Sequence, residues 1–256
     1  MTRSSDTGNG RPLRRLAARL TVLGMLCLGL LVLYFFLSRV YPFDWSVIPR
    51  YKLLFFDGLK MTLSLSAFSL GLSVLIGLVI SLARTSKVQI AREFGATYVW
   101  FFRNMPLLVV ILLVYYGVGS IVMIDRFWAG VVSLAVFEGA YVAEIFRSGI
   151  EAVPEGEIEA ARAFGLYNSQ VFGSVIFPRA FRIAIPPLVG QLVSLVKDSS
   201  LVSVIALGDL TMRARQVGTQ TLATLEAYIV LAGVYLSITS LLSFLGNCLE
   251  RRLKIP

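Results

Sequence analysis

The sequence contains no histidine, which excludes histidine metal ligands, a histidine general base and any catalytic triad built on one. Its only two cysteines, Cys27 and Cys248, both lie inside long apolar runs. We therefore expect neither a structural disulfide nor a cysteine-rich metal site. No stretch matches the G-x-x-x-x-G-K-[ST] pattern of a phosphate-binding loop, so the chain is not expected to hydrolyse ATP by itself. We predict no catalytic residue and no bound metal or cofactor in this chain.

Charge is also scarce in this sequence. Of its 256 residues, 57% are apolar and only 15% are charged, with a mean hydropathy of +0.78. Several uncharged windows reach the roughly 18–20 residues that a helix needs to cross a bilayer. The net charge of +9 does not indicate nucleic-acid binding, because the basic residues lie in loops between apolar runs. These features predict an all-α polytopic membrane protein.

The apolar runs predict about six transmembrane helices. Residues 1–19 form a basic tail, residues 20–40 an extra N-terminal transmembrane helix, residues 57–250 the main membrane domain, and residues 251–256 a second short tail. A signal peptide is the alternative for the first helix, but its apolar region is long and no A-x-A cleavage site follows. We expect the third span to be interrupted near residues 103–106 and the fifth to be broken at two consecutive prolines.

The distribution of basic residues predicts the orientation of these helices. Sixteen lysines and arginines fall on the side of both termini, seven on the opposite side and one within a span. Cytoplasmic loops carry the excess of basic residues in helical membrane proteins. Both termini are therefore predicted to be cytoplasmic.

A polar stretch, residues 157–178, separates the predicted fourth and fifth spans. Acidic residues cluster near its start, which favours the N-terminal end of a helix. Gly165 suits the left-handed position that ends such a helix. The spacing predicts that Ile158, Ala161 and Phe164 share one face. We expect a helix, a glycine stop and a second helix.

This stretch resembles the EAA motif of bacterial ABC-importer permeases. The match consists of Glu159-Ala160-Ala161, Gly165, Val175 and Phe177-Pro178, and Val175 and Phe177 stand where the family more often has Ile and Leu. In that family the loop is a cytoplasmic coupling helix that docks on a separate ATPase. The resemblance implies a coupling loop over residues 151–182, with ATPase-coupling residues Glu157, Glu159, Ala160, Ala161, Gly165 and Pro178. Without the motif, an amphipathic helix on the lipid headgroups is the alternative.

Four other segments resemble the polar amino-acid permeases, most closely the glutamate/aspartate and histidine/glutamine group. They match F-R-x-x-P-L-L at residues 102–108, Y-Y-G at 115–117, G-A-Y-x-A-E-x-x-R at 139–147 and K-D-[TS]-S-L at 197–201. The resemblance implies a type I ABC importer permease fold in the bacterial inner membrane. It further implies alternating access driven by two ATPase subunits that bind ATP and Mg²⁺, a second permease subunit and an extracytoplasmic amino-acid-binding protein. The implied solute is glutamate/aspartate or glutamine/asparagine.

Charged residues inside the spans are candidates for function, because each costs at least roughly 2.5 kcal/mol at the bilayer centre. Glu144 and Arg147, three residues apart, are predicted to form a structural pair. A further set is predicted to line the substrate pathway or to satisfy contacts between helices: Arg103, Glu138, Lys197, Asp198, Ser199 and Ser200. Arg103 or Lys197 is the candidate partner of a substrate carboxylate.

An ATPase-independent secondary transporter or channel is the alternative function. Such a protein is expected to contain internal repeats with charged residues at matching depths in its two halves. The sequence has no such symmetry, and the long polar loop would have no role in that mechanism.

Overall fold

The computed structural model describes the backbone of residues 11–253 and, with gaps before residue 31, the side chains up to residue 250. The described residues form helices and connecting turns without any strand. They divide into two units, residues 1–45 and residues 46–256. This agrees with the all-α class that the composition predicts.

The first unit contains one long helix, α1 (Arg11–Ser38). It covers the predicted first span. Residues 1–10 of the predicted basic tail lie outside the described residues, and the rest of the tail is the start of α1. The segment after α1 folds back on it: the Tyr34 and Phe43 rings are 4.9 Å apart, Phe43 stacks on Trp45 at 5.7 Å, and Trp45 Nε1 donates a hydrogen bond to the Tyr34 hydroxyl at 3.4 Å.

The second unit contains eleven α-helices, two π-helical segments and one 3₁₀ segment among its described residues. In chain order they are α2 (Val47–Arg50), α3 (Lys52–Arg84), α4 (Gln89–Arg103), α5 (Leu107–Leu112), a π segment (Leu113–Val118), α6 (Gly119–Val122), α7 (Arg126–Glu151), α8 (Glu155–Ala163), α9 (Asn168–Val171), a second π segment (Phe172–Ile176), α10 (Phe177–Asp198), a 3₁₀ segment (Ser199–Ile205), α11 (Leu210–Thr221) and α12 (Thr224–Leu253). The predicted C-terminal tail, residues 251–256, thus begins inside α12, and residues 254–256 lie outside the described residues.

Four stretches of described helix are long and apolar enough to cross a membrane: Lys52–Arg84, Arg126–Glu151, Asn168–Ile205 and Thr224–Glu250. The pair Gln89–Arg103 and Leu107–Val122 passes the same test jointly and is bent by 103°. The predicted interruption of the third span is therefore confirmed. The second unit accounts for up to five of the about six predicted spans, and α1 covers the remaining one.

The predicted break of the fifth span at its proline pair is wrong. Helix α10 continues through Pro186 and Pro187, and the geometry changes only at the 3₁₀ segment that follows Asp198. Proline removes a backbone donor, but neighbouring helices compensate in packed membrane bundles. Here Ala184 is buried beside α7, and Gly246 of α12 lies against Val189, so tertiary contacts hold the helix through the prolines.

Two polar segments of the sequence are also helical. The connection after α3 is short, because α4 begins at Gln89 and already contains Arg92. The polar segment after the fifth span contains the helix α11, whose Ala214 and Val217 are fully buried. Helix α4 packs against α3 and α7, and α11 packs against α3 and α12. These tertiary contacts stabilise both helices despite their polar sequences.

Close packing of α3 against α7 forms the centre of the second unit. Five small residues in the middle and end of α3 are buried, namely Ser66, Ser69, Ser73, Gly77 and Ser81, and small residues let helices approach closely. At Gly77 a Cβ atom would come within 2.6 Å of Val142 Cβ, and at Gly139 one would come within 2.8 Å of Ile76 Cγ2. Only glycine permits this approach. The apolar core nearby contains Leu65, which is fully buried.

Candidate functional site

Residues 152–176, here called the polar loop, connect α7 to α10. Pro154 precedes α8 in an extended conformation, where its missing N–H is not needed. Gly165 has φ +83°, and the Leu166 N–H donates to the Ala161 carbonyl at 3.3 Å, as in a helix-ending Schellman turn. The next helix begins at Asn168. The structure therefore confirms the predicted order of helix, glycine stop and second helix.

The inner side of the polar loop is attached to α10. Arg179 Nη2 lies 3.2 Å from Glu157 Oε1, which ties α8 to the first turns of α10. Ala161 is buried, and so is Val171. The predicted coupling residue Pro178 lies in the first turn of α10 and lines a small cleft together with Glu157 and Arg179.

The outer side of the polar loop is exposed. Glu159 and Ala160 face away from the bundle, and Phe164 and Tyr167 leave 86% and 78% of their surface exposed. The prediction that Ile158, Ala161 and Phe164 share one face is wrong, because Ala161 is buried and Phe164 is exposed. Three residues turn a helix by about 300°, so two such steps place Phe164 roughly 120° away from Ile158. Large aromatic side chains with this exposure are suited to contact with another protein.

Four charged residues form an ion network at the end of α7 that leads into the polar loop. Glu144 accepts hydrogen bonds from Arg147, the partner predicted for it, and also from Arg84 at the end of α3. Arg147 donates a further bond to Glu151, the last residue of α7. Arg84 was missed because it lies 60 positions from Glu144, and finding it requires knowing how the helices pack. Glu151 lies only four positions from Arg147, so its spacing could have identified it as a partner of that arginine.

Glu138 lies fully buried in α7 and is bonded across to α10. Gln191 Nε2 donates a hydrogen bond to Glu138 Oε2. This partner was missed by sequence reasoning, because an uncharged glutamine in an apolar run carries no distinctive pattern. The contact is of the interhelical kind that formed one of the two predictions for Glu138.

Lys197 lines an open groove between α10 and α12 with a volume of about 510 Å³. The groove is polar for a membrane-spanning region; its other lining residues are Val193, Thr239, Ser240, Ser243, Phe244 and Asn247. Asp198 and Ser200 are half-buried, while Ser199 is buried and donates to the Val196 carbonyl at 2.8 Å. The polar residues of α12 were missed, although positions 240, 243 and 247 share one helical face.

Arg103 does not line this groove. It is the last residue of α4, and its guanidinium lies 5.4 Å from the centroid of the Tyr141 ring in α7, as in a cation–π contact. The structure therefore brings Lys197 together with polar residues of α12, but it places Arg103 at the bend between α4 and α5.

Comparison with known proteins identifies the family. Residues 73–255 match the family model described as binding-protein-dependent transport system inner membrane component. The arginine transport system permease protein ArtQ of Bacillus subtilis (strain 168) is 36% identical over 200 residues, which cover 77% of this chain and 91% of ArtQ. The probable glutamine ABC transporter permease protein GlnM of the same organism is 38% identical over 202 residues, which cover 78% of this chain and 94% of GlnM.

A solved structure agrees with these sequence relatives. The crystal structure of an amino acid ABC transporter with histidines superposes with a TM-score of 0.77 and 38% identity, covering 82% of this chain and 98% of that chain. This similarity supports the fold expected of type I importer permeases. The chain therefore belongs to the binding-protein-dependent transport system inner membrane components, within the group of amino-acid ABC permeases.

Proposed function

We propose that this chain is the translocating subunit of an importer in which separate ATPase subunits bind ATP and Mg²⁺ and dock on the polar loop. The observation that supports this proposal is the difference between the two sides of that loop. Its inner side is fixed by the Glu157–Arg179 ion pair and the buried Ala161, while its outer side exposes two aromatic rings. A polar loop held in this way between two spans is suited to receiving force from a cytoplasmic partner.

Docking places the exposed side of α8 against the ATPase. Glu159 and Ala160 are exposed on α8, and Phe164 and Tyr167 flank the glycine that ends it. Exposed aromatic rings that become buried at an interface contribute much of its binding energy. When two docked ATPases close, the Glu157–Arg179 pair transmits the movement of α8 to α10.

The groove between α10 and α12 is the proposed wall of the solute pathway. Lys197 at membrane depth costs at least roughly 2.5 kcal/mol in lipid, so it faces water or protein. Most of α12 is exposed within this chain, as expected of a helix that a second permease subunit covers. We place the pathway between the two permease subunits, with Lys197, Ser243 and Asn247 facing it.

The solute is a polar amino acid with an acidic or amide side chain. The groove offers the positive charge of Lys197 for a carboxylate, and hydroxyl and amide groups for hydrogen bonds with an amide or acidic side chain. The probable glutamine permease among the relatives supports this class of solute, whereas the arginine permease supports a basic amino acid as the alternative solute. An extracytoplasmic binding protein delivers the solute, and both termini of the chain lie in the cytoplasm.

The test uses the full chain, purified with its native partners and reconstituted in proteoliposomes. We expect accumulation of labelled glutamine or glutamate that requires ATP inside and the binding protein outside, with arginine competing weakly. Lys197→Gln should lower uptake while the ATPase subunits remain bound, and Arg103→Gln should change it less. Accumulation that proceeds without ATP contradicts the proposal.

A further inference from the structure

The ion network at the end of α7 connects two helices that the sequence does not place together. One carboxylate oxygen of Glu144 accepts from Arg84 and the other from Arg147, which also donates to Glu151. The four side chains alternate in charge and sum to zero. They run from the last residue of α3 to the last residue of α7.

The network is partly enclosed, except at its end. The side chains of Arg84, Arg147 and Glu144 are 19%, 25% and 28% exposed, whereas Glu151 is 57% exposed. Charge-assisted hydrogen bonds of this kind are stronger than those of fully exposed ion pairs. The bond between Arg84 and Glu144 is therefore the firmest polar link between the ends of α3 and α7.

Helix α4 packs directly on this link. A Cβ atom at Gly95 would come within 2.6 Å of Arg84 Cγ, so only glycine lets α4 lie against the stem of that arginine. The position of Arg84 thus constrains the path of α4 at Gly95, and Glu144 binds the Arg84 guanidinium.

The other end of the network leads into the polar loop. Glu151 is separated from α8 only by residues 152–154, of which Val153 is buried. Close by, Gly149 approaches α10 so tightly that a Cβ atom there would lie 2.8 Å from the Ala180 carbonyl oxygen. The end of α7 is therefore fixed to α10 and to the loop at once.

We propose that Glu144 is a positioning residue that couples α3 and α4 to the movement of the polar loop. By binding Arg84 and Arg147 simultaneously, it makes the ends of α3 and α7 move as one body. The other contacts described between these helices are apolar or involve small residues, so Glu144 supplies the charged link between their ends. The inference rests on the proposed function and assigns a route by which force reaches the helices that do not adjoin the loop in sequence.

The experiment compares Glu144→Gln, Arg84→Gln and the double variant in the reconstituted importer. Glu93→Gln is the matched control, because Glu93 is exposed on α4 and undergoes the same change from acid to amide. The readout is the amount of solute accumulated per ATP hydrolysed. Spin labels at Thr85 and Gly156 measure the distance between the end of α3 and α8 with and without ATP.

Each single variant should lower accumulation per ATP roughly fivefold, as expected from losing one charge-assisted link. The double variant should lose no more than either single variant, because all three break the same link. Glu144→Asp, which keeps the charge, should restore part of the coupling and show that the loss is not misfolding. In the wild type the label distance should stay constant between nucleotide states, and in Glu144→Gln it should change.

Wild-type accumulation per ATP in Glu144→Gln and Arg84→Gln overturns this inference alone, as do losses that multiply in the double variant. A wild-type complex that accumulates no solute with ATP instead overturns the proposed function, and with it the inference.

Discussion

Gly165 is the residue at which the backbone itself constrains the polar loop. Its φ of +83° lies in the left-handed region, which costs a residue with a side chain about 1–2 kcal/mol. Substitution by valine should therefore unwind the end of α8 and displace Phe164 and Tyr167. We expect Gly165→Val to weaken binding of the ATPase subunits by roughly fivefold to thirtyfold, measured by co-purification at graded ATPase concentrations.

The control for this substitution is Gly156→Ala in the first turn of α8. A Cβ atom meets nothing within 4 Å at either glycine, so steric crowding is equal, but only Gly165 has a positive φ. Equal loss of ATPase binding in both variants would show that the left-handed turn is unimportant.

Asp209 is a buried carboxylate outside the spans, and its titration should be visible in stability. It accepts hydrogen bonds from Met212 N at 3.0 Å and Thr211 N at 3.1 Å, which cap α11. Burial raises its pKa from 3.8 to about 6, and these backbone N–H groups only partly offset the rise. The folded chain binds the Asp209 proton more tightly than the unfolded chain does, so protonation of Asp209 stabilises the fold. This stabilisation is complete below the pKa that Asp209 has in the unfolded chain, and it is lost as pH rises through about 6.

Asp209→Asn should remove this pH dependence while keeping one acceptor for the cap. The difference between the two pKa values corresponds to up to ~3 kcal/mol. We expect the thermal midpoint of the variant, relative to the wild type, to increase between pH 4.5 and pH 7.5 in detergent. A relative midpoint that is independent of pH would contradict the raised pKa.

At the scale of elements, the sequence predicted those structural features that depend on neighbouring residues in the chain. The stop at Gly165, the interruption after Arg103 and the Glu144–Arg147 spacing follow from residues that act within one or two turns. The continuity of α10 through Pro186 does not, because packing against α12 decides it. Nor does the Glu138–Gln191 bond, which requires knowing that α7 faces α10.

The contact between α3 and α7 is the element-scale feature with the clearest stability prediction. Gly77→Ala places a methyl group within 2.6 Å of Val142 Cβ, and overpacking of this kind costs about 1–3 kcal/mol. We expect a lower thermal midpoint in detergent, while Gly71→Ala on the same helix, where a Cβ atom meets nothing within 4 Å, should leave it unchanged or raise it. Similar midpoints for the two variants would mean that the helices separate easily at Gly77.

At the scale of the whole molecule, the placement of the polar loop relative to the membrane decides the mechanism. A loop that receives force from ATPases must face the cytoplasm, and the excess of basic residues on the side of the termini predicts that it does. The segment around α11 then lies on the opposite side of the membrane. The two sides can be distinguished by chemical labelling, because only Cys27 and Cys248 need to be replaced beforehand.

In a chain with both cysteines changed to serine, Gly156→Cys on α8 and Gln220→Cys on α11 report on the two sides. Both positions are exposed within helices, so local accessibility does not distinguish them. A membrane-impermeant maleimide added to intact cells stripped of their outer membrane should label Gln220→Cys alone, and Gly156→Cys should react only after permeabilisation. The reverse pattern would place the polar loop outside the cell, where no ATP drives a docked subunit, and the proposed mechanism would then fail as a whole.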